Sequence, residues 1–219
     1  MPICYVDLSS DIIRMLSPLF KDFQPRGFSR ASITLSEALH MMLFLRAINP
    51  KNIFEFGTFY GETTRMLTSN ALRDDVTTYT LDIDSTDGIR FVSVDAEIAR
   101  EGIEHQPVFT DPRIIQLKGD SLYFDPTPYE GTIQYIFIDG NHALEYVKKD
   151  TENAFIMLDK QAPSCIIWHD YENPDFPEVT EYVNSFPDEM KFFHPHRPDH
   201  TTLAIYLSNC EGLRAPDGY

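Results

Sequence analysis

Short apolar runs rich in isoleucine, valine and aromatic residues alternate with amphipathic stretches from residue 51 onward. The runs have the length and composition of buried strands, and the stretches repeat apolar positions at helical spacing. The predicted strands are 52–56, 76–81, 113–117, 133–138 and 164–168, and the predicted helices are 62–72, 92–100, 142–158 and 176–185. Strands that alternate with helices indicate βαβ units and a mainly parallel sheet.

The segment before residue 51 predicts helices. Residues 8–20 and 32–48 both have amphipathic spacing. The second stretch has Ser32 or Thr34 as a candidate N-cap and stops before an Asn-Pro pair. We therefore expect residues 1–50 to form a helical cap on the same domain, as a lid or as a homodimer surface.

The C-terminal part breaks the alternation. Residues 190–193 and 201–207 predict two strands joined by the loop 194–200. Its sequence, HPHRPDH, is the most cationic local feature of the chain and could hold an anionic or polyhydroxyl substrate group, with a proline-stiffened loop as the alternative. No helix fits between these strands, so the last one is expected to run antiparallel. The predicted fold class is α/β: a Rossmann-like, seven-stranded, mostly parallel sheet with an antiparallel last strand and helices on both faces. It occupies residues 51–209, and residues 210–219 form a tail.

The amino-acid composition limits the kinds of binding partner and the cellular location that we expect for this protein. The 219 residues include 18 Lys and Arg against 34 Asp and Glu, a net charge of −16. Such a surface repels phosphate backbones and anionic lipids, so we expect neither a nucleic-acid nor a membrane partner. The cysteines are few and widely spaced, and no signal peptide or membrane-spanning run is recognisable. These features predict a cytoplasmic protein with reduced thiols.

Two glycines mark the turn after the first predicted strand. Its sequence is E-F-G-T-F-Y-G-E-T-T, which begins at Glu55 and contains Gly57 and Gly61. Glycine permits backbone conformations and close approaches that a Cβ atom forbids. The spacing matches neither the G-x-G-x-x-G of dinucleotide sites nor a P-loop, and a plain structural turn is the alternative. Because ligands bind at the carboxyl ends of strands in open α/β sheets, this turn is a candidate ligand site.

Polar residues also follow the second and third predicted strands. Asp82 ends the second strand, where a carboxylate commonly accepts hydrogen bonds from ribose hydroxyls. Asp120 and Ser121 follow the third strand, where a polar pair could contact an adenine edge. Solvated acids and a simple turn are the plainer interpretation. Together with the glycine turn, the order of these residues favours a nucleoside site.

Asp139 and His142 follow the fourth predicted strand, which is apolar on both faces. A charge at the end of such a strand is costly unless it finds a partner. His142 is predicted in the first turn of the next helix, where the partial positive charge of the helix disfavours imidazolium. We therefore expect a neutral imidazole that serves as a general base, with a packing or capping histidine as the alternative.

His169 and Asp170 follow the fifth predicted strand. Asp139 and Asp170 would converge from adjacent strands on one divalent cation, with His169 as a third ligand. Oxygen-rich sites favour Mg²⁺, Ca²⁺ or Mn²⁺. The alternative is that these acids are hydrogen-bonded separately.

The ordered succession EFGTFYGETT, TLDID, GDS, FIDGNH and WHDY resembles class I S-adenosylmethionine-dependent methyltransferases. It is similar to the O-methyltransferase branch that includes the catechol type, the macrocin type and the methyltransferase domain 24 group. The resemblance covers about residues 51–207. The five motifs in this order are more specific to the family than any one of them alone.

The resemblance implies S-adenosylmethionine as cofactor, with its methionine end on the glycine turn, its ribose on Asp82 and its adenine beside Asp120. The implied cofactor-binding residues are Glu55, Gly57, Thr58, Phe59, Gly61, Thr63, Asp82, Asp120 and Ser121. The implied catalytic residues are His142 and Asp139, and the implied ligands of Mg²⁺ or another divalent cation are Asp139, His169 and Asp170. One departure is His169, where relatives usually carry an acid or an amide.

The expected reaction is the transfer of a methyl group from the sulfonium to a hydroxyl of a small molecule. One alternative is an NAD(P)-dependent oxidoreductase on the same type of sheet, against which the missing G-x-G-x-x-G counts. The other is a non-catalytic metabolite-binding module, against which the set of Asp139, His142 and Asp170 counts. The sequence does not identify the methyl acceptor.

Overall fold

The computed structural model describes residues 4–6, 32–92, 95–187, 190, 192–195 and 201–210. Its strands are β1 (Cys4–Val6), β2 (Asn52–Phe56), β3 (Thr77–Asp82), β4 (Ile114–Lys118), β5 (Tyr135–Ile138), β6 (Ser164–Trp168), β7 (Phe192–Pro195) and β8 (Ala204–Ser208). Its helices are α1 (Leu35–Ile48), α2 (Glu62–Asn70), α3 (Asp95–Glu104), α4 (Leu144–Met157) and α5 (Pro177–Val183). None of the helices in these ranges has the length and hydropathy of a membrane span.

The strands form one sheet in the order β1-β7-β8-β6-β5-β2-β3-β4. The strands from β2 to β6 pair in parallel, and β8 runs antiparallel to both of its neighbours. The predicted α/β class, the parallel sheet and the antiparallel last strand are thus confirmed. The strand count differs, because β1 adds an eighth strand that pairs in parallel with β7. Three residues are too few to show a strand period, and their partner lies near the other end of the chain.

Helices cover both faces of the sheet, as predicted. On one face, α4 and α5 pack against Phe54, Phe56 and the even-numbered residues of β5. On the other face, α1 and α2 pack against Ile53 and the odd-numbered residues of β5. All four residues of β5 are buried because both of its faces carry a helical layer.

Helix α1 begins and ends where its sequence signals indicate. Thr34 is the N-cap and forms a capping box with Glu37, whose side chain accepts a hydrogen bond from the Thr34 N–H. The helix stops at Asn49, which adopts the left-handed conformation that ends many helices. The predicted helix 8–20, residues 196–200 of the C-terminal loop and the tail 211–219 lie outside the described residues.

The direction of the strand order reverses between β2 and β5. From β2 the chain moves outward to β3 and β4 on one side, and it returns to β5 and β6 on the other side. The loops that leave the carboxyl ends of β2 and β5 therefore diverge. A ligand crevice opens at this type of switch point.

Candidate functional site

A cavity of about 800 Å³ lies at the carboxyl ends of the central strands. Its wall combines the loops after β2, β3, β4, β5 and β6 with the start of α1. All of the predicted site residues except Gly61 and Asp120 line it. Ligands bind at the carboxyl ends of parallel strands. The motifs that follow different strands, although far apart in sequence, therefore lie in one continuous cavity.

Both glycines of the turn after β2 are required by its geometry. Gly57 has a φ of +88°, and a Cβ atom on it would lie 2.0 Å from the backbone oxygen of Asp139. Gly61 has a φ of +69°, and a Cβ atom there would lie 2.6 Å from the Phe109 ring. Because Gly57 has no side chain, the loop after β2 can contact the loop after β5 directly. Gly61 instead permits the start of α2.

Glu55 ends β2 beneath the glycine turn and is 1% exposed. Its Oε2 accepts hydrogen bonds from the hydroxyls of Thr64 and Thr80. Burial raises the pKa of Glu55 to about 8, and the negative charges of Asp139 and Asp82 act in the same direction. The two hydroxyls oppose this shift without reversing it. The environment of Glu55 therefore favours the neutral carboxyl.

Asp82 stabilises the glycine turn as well as facing the cavity. Its Oδ2 accepts hydrogen bonds from the backbone N–H groups of Thr58 and Phe59, at 3.1 and 2.9 Å. Its Oδ1 accepts one from the N–H of Ile83 at 2.8 Å. Burial raises the pKa of Asp82, and these backbone donors counteract that effect. The carboxylate thus connects the ends of β2 and β3, and Oδ1 retains capacity for a further donor.

Asp120 and Ser121, which follow β4, have different roles. Ser121 lines the cavity, whereas the Asp120 carboxylate is bonded to groups of the protein. Asp120 Oδ1 caps the short 3₁₀ turn at the N–H of Leu122, 3.0 Å away, and Oδ2 accepts from the Tyr146 hydroxyl at 3.2 Å. Asp120 is thus partnered by the turn and by α4.

His142 lies before helix α4, not within its first turn as expected from the sequence. The helix begins at Leu144, and its N-cap is Ala143. Asp95, the first residue of α3, holds His142 twice: Oδ2 accepts the backbone N–H and Oδ1 pairs with Nδ1, both at 2.9 Å. The ring stacks on Phe176 with centroids 3.9 Å apart. Its other nitrogen, Nε2, is thereby directed towards Asp170.

The charge expected on His142 also needs correction. Burial favours the neutral imidazole, but the carboxylates of Asp170 and Asp95 outweigh it and raise the pKa of His142 to about 10. These carboxylates therefore favour the imidazolium form of His142. The acids on either side of the ring decide its charge, and the pairing with Asp95 was not predicted from the sequence.

His169 lies between three carboxylates at the end of β6. Its Nδ1 is 3.1 Å from Asp139 Oδ1 and 2.9 Å from Asp170 Oδ2, and its Nε2 is 3.4 Å from Glu37 Oε2. Burial lowers the pKa of His169, but the charge of Asp139 and the surrounding hydrogen bonds raise it well above its usual value. Asp170 has a left-handed backbone with a φ of +60°, a conformation that costs energy and clusters at functional sites.

The donor set fits a small, hard divalent cation. Asp139, His142 and Asp170 each offer one ligand atom, and these atoms lie within 4.8 Å of one another. His142 Nε2 is 3.0 Å from Asp170 Oδ2 but lacks the alignment of a hydrogen bond, so it remains a buried nitrogen without a hydrogen-bond acceptor among the described residues. An imidazole held at one nitrogen by a carboxylate is typical of metal-binding histidines.

Three acids of the site are absent from the sequence prediction. Glu37 is 2% exposed, and its Oε1 accepts from the N–H and the hydroxyl of Thr202 as well. A glutamate three residues after an N-cap is common as part of a capping box, so its sequence position indicates no further role. Asp95 is an acid in a first helical turn, which is common for electrostatic reasons alone. Asp150 falls on the buried face of α4, and this position in the apolar pattern was a usable signal.

The geometry agrees with the comparisons with known proteins. The sequence profile of the family described as "Methyltransferase domain" matches residues 54–171. None of the curated proteins matches the chain in sequence.

Solved structures share the fold at low identity. One is the SAH-bound methyltransferase PaMTH1 of Podospora anserina, at 13% identity and a TM-score of 0.54, covering 95% of this chain and 99% of the other. Another is CalS11, a TDP-rhamnose 3'-O-methyltransferase of calicheamicin biosynthesis, at 15% identity and a TM-score of 0.55, covering 92% and 96%. The family match spans more than half of the chain, from β2 to the residue after Asp170, and thus includes the glycine turn and the His169–Asp170 pair. The chain therefore belongs to the methyltransferase domain family, a group of S-adenosylmethionine-dependent enzymes.

Proposed function

We propose that this protein is an S-adenosylmethionine-dependent O-methyltransferase that acts on the hydroxyl of a small molecule. The observation that carries the proposal is the composition of the one cavity described above. It joins a glycine turn and a strand-end carboxylate, suited to a nucleoside, to a cluster of two imidazoles and acids, suited to a hydroxyl. A cationic sulfonium is also compatible with so acidic a wall.

In this proposal the methionine end of the cofactor lies along Gly57 and Glu55, and its ribose hydroxyls donate to Asp82. The sulfonium is already a strong electrophile, so the protein mainly orients the two substrates and provides a deprotonated oxygen. The hydroxyl oxygen forms a bond to the methyl carbon while the carbon–sulfur bond breaks. S-adenosylhomocysteine and the methyl ether are the products, and the hydroxyl proton passes to the protein.

His142 accepts this proton at Nε2, since Nδ1 is held by Asp95. Its raised pKa in the ligand-free protein means that it must first lose a proton. Positive charge entering the cavity beside Asp139 and Asp170 weakens their hold on imidazolium and lowers that pKa. Base function is therefore tied to the presence of bound cations, the sulfonium among them.

Asp139, His169 and Asp170 would hold a divalent cation, which would lower the pKa of the substrate hydroxyl. Support comes from the positions of Asp139 and Asp170, whose Oδ1 and Oδ2 atoms lie 3.1 and 2.9 Å from His169 Nδ1; this nitrogen must lose its proton before it can serve as a ligand. Ser32, Thr34 and Glu37 line the cavity at the start of α1. This position supports a role for helix α1 and the residues just before it as a cap over the site.

Methyl transfer from labelled S-adenosylmethionine to a panel of phenols, sugars and other hydroxylated compounds tests the activity. Cofactor binding is tested separately by calorimetric titration with S-adenosylhomocysteine. We expect Asp82→Ala to weaken that binding by about 10- to 100-fold, because it removes hydrogen bonds between the ligand and a charged carboxylate. Asp84→Ala is the matched control, because Asp84 is a nearby exposed acid outside the cavity. Equal affinities for both variants would remove Asp82 from the cofactor site.

Because His142 Nε2 serves as the base in this proposal, metal binding is predicted to depend on His169 more than on His142, although the ligand atom of His142 is the one that lies within 4.8 Å of those of Asp139 and Asp170. Titration with Mn²⁺, followed by electron paramagnetic resonance of the free ion, should show at least a 10-fold weaker affinity for His169→Ala and little change for His142→Ala. The reverse order would assign the ligand role to His142 instead. Full methyl transfer in excess chelator would exclude a metal-dependent reaction.

A further inference from the structure

Glu37, in the first turn of helix α1, is a buried acid to which the proposed reaction assigns no role. It is 2% exposed and contributes to the wall of the cavity. Thr34 makes the contacts of the helix cap, donating its N–H and its hydroxyl to Oε2 at 2.8 and 2.9 Å. A capping box needs only one oxygen of the glutamate. Because desolvation of a carboxylate is costly, its complete burial needs a reason beyond the cap.

The remaining contacts of Glu37 connect α1 to two segments that are distant in sequence. Oε1 accepts the N–H and the hydroxyl of Thr202, which precedes β8, at 2.7 and 2.8 Å. Oε2 is 3.4 Å from Nε2 of His169, which follows β6. Both oxygens act as acceptors, which suits an ionised carboxylate. Glu37 therefore joins the N-terminal helix to the loops on the far side of the cavity.

Thr202 extends this connection to Asp170. The Thr202 hydroxyl, which donates to Glu37, also accepts the N–H of Asp170 at 3.3 Å. The Thr202 carbonyl oxygen accepts the N–H of Tyr171 at 2.8 Å. Both peptide groups around Asp170 are thus held at the point where its φ is +60°. A left-handed backbone at a non-glycine residue persists only where its surroundings fix it.

We propose that Glu37 is a positioning residue of the cation site, which holds the His169 ring directly and the Asp170 backbone through Thr202. The inference rests on the proposed function, because it takes Asp139, His169 and Asp170 as the residues that would hold the cation. With Nε2 of His169 turned to Glu37, Nδ1 is the ring nitrogen left for the cation. A carboxylate behind an imidazole fixes the orientation of the ring, and its loss typically weakens metal affinity about 10- to 100-fold.

Titration with Mn²⁺, followed by electron paramagnetic resonance of the free ion, tests the inference without methyl transfer. Glu37→Gln keeps the size of the side chain and the capping box, but its amide turns a donor towards either Thr202 or His169. It should bind Mn²⁺ about 10- to 100-fold more weakly than the wild type. Its affinity for S-adenosylhomocysteine should stay within about 3-fold, because none of the partners of Glu37 described above is a proposed cofactor-binding residue.

Two further variants separate positioning from the stability of α1. Thr34→Ala removes the N-cap but leaves the contacts of Glu37 with Thr202 and His169. It should lower the melting temperature and keep the Mn²⁺ affinity within about 3-fold. Glu145→Gln removes the same charge from the first turn of α4, at an exposed position outside the cavity, and should change neither quantity.

Thr202→Val tests the same connection if Glu37→Gln does not fold. It retains Glu37 and removes only the hydroxyl that joins this carboxylate to Asp170. Loss of that hydrogen-bonded link should weaken Mn²⁺ binding about 3- to 10-fold. Unchanged affinity in Thr202→Val would overturn the inference.

Other outcomes would also overturn it. One is a Glu37→Gln variant that binds Mn²⁺ as tightly as the wild type. Another is an equal loss of Mn²⁺ affinity in Thr34→Ala and Glu37→Gln, since Glu37 would then act only through the helix cap. A wild-type protein that fails to bind Mn²⁺ would overturn the inference together with the proposed metal site. Failure to bind S-adenosylhomocysteine, with the Mn²⁺ results as expected, would overturn the proposed function and leave the positioning role supported.

Discussion

Replacement of His142 by alanine is expected to lower methyl-transfer turnover by about 10²–10⁴-fold, the usual share of a general acid–base group. The affinity for S-adenosylhomocysteine should stay within about 3-fold of the wild type, because the proposed cofactor contacts lie on β2, β3 and β4. The effect is large because Asp95 and Phe176 hold the ring with Nε2 directed to Asp170. No other described histidine has this arrangement. Single-turnover kinetics with saturating cofactor isolate the chemical step.

His105→Ala is the matched control, since His105 is exposed and does not line the cavity. It should leave turnover and cofactor affinity unchanged. Turnover retained by His142→Ala would exclude His142 from the reaction. Loss of cofactor binding in the same variant would indicate a structural role instead, and thermal denaturation of both variants would show it.

Gly57→Ala is expected to destabilise the protein by more than about 3 kcal/mol and to abolish measurable binding of S-adenosylhomocysteine. A left-handed backbone costs a non-glycine residue about 1–3 kcal/mol, and an overpacked contact costs about 1–3 kcal/mol in addition. The contact here is severe, because the new Cβ atom would lie 2.0 Å from the backbone oxygen of Asp139. Relief requires the loops after β2 and β5 to separate, and both of them line the cavity.

Gly88→Ala separates the cost of the left-handed backbone from the cost of the steric contact. Gly88 has a similar φ of +76°, but a Cβ atom there would meet no heavy atom within 4 Å. This variant carries the conformational cost alone, so it should lose about 1–3 kcal/mol and retain cofactor binding. The free energy of unfolding from chemical denaturation and the calorimetric affinity measure both effects. Equal destabilisation of the two variants would show that the contact with Asp139 has no energetic consequence.

The sequence predicted the fold closely because the signals of this fold are local. The run of apolar residues in β5 and the helical spacing in α1 each appear within a short window. The capping threonine and the Asn-Pro pair likewise marked the two ends of α1 correctly. Strand β1 was missed because it is three residues long and owes its place to pairing with β7.

The order of polar residues at strand ends was equally informative about the site. Once the strands are parallel, every residue that directly follows one of them is brought to the same edge of the sheet, whatever its distance in sequence. This geometry explains why Asp82, Asp139 and Asp170 share one cavity, as their positions after predicted strands indicated. It also explains why family membership was recognisable from five short motifs.

What the sequence by itself determined was the α/β architecture, the location of the site and the residue types in it. The tertiary structure decided which groups touch, and therefore their charge. Asp95 and His142 are 47 positions apart, Glu37 and His169 are 132 apart, and Glu37 and Thr202 are 165 apart. Periodicity carries no information about such pairs, because each forms only when separate elements pack. The protonation of His142 and the contacts of Glu37 depend on burial and on neighbours from other elements, and only the folded chain supplies these.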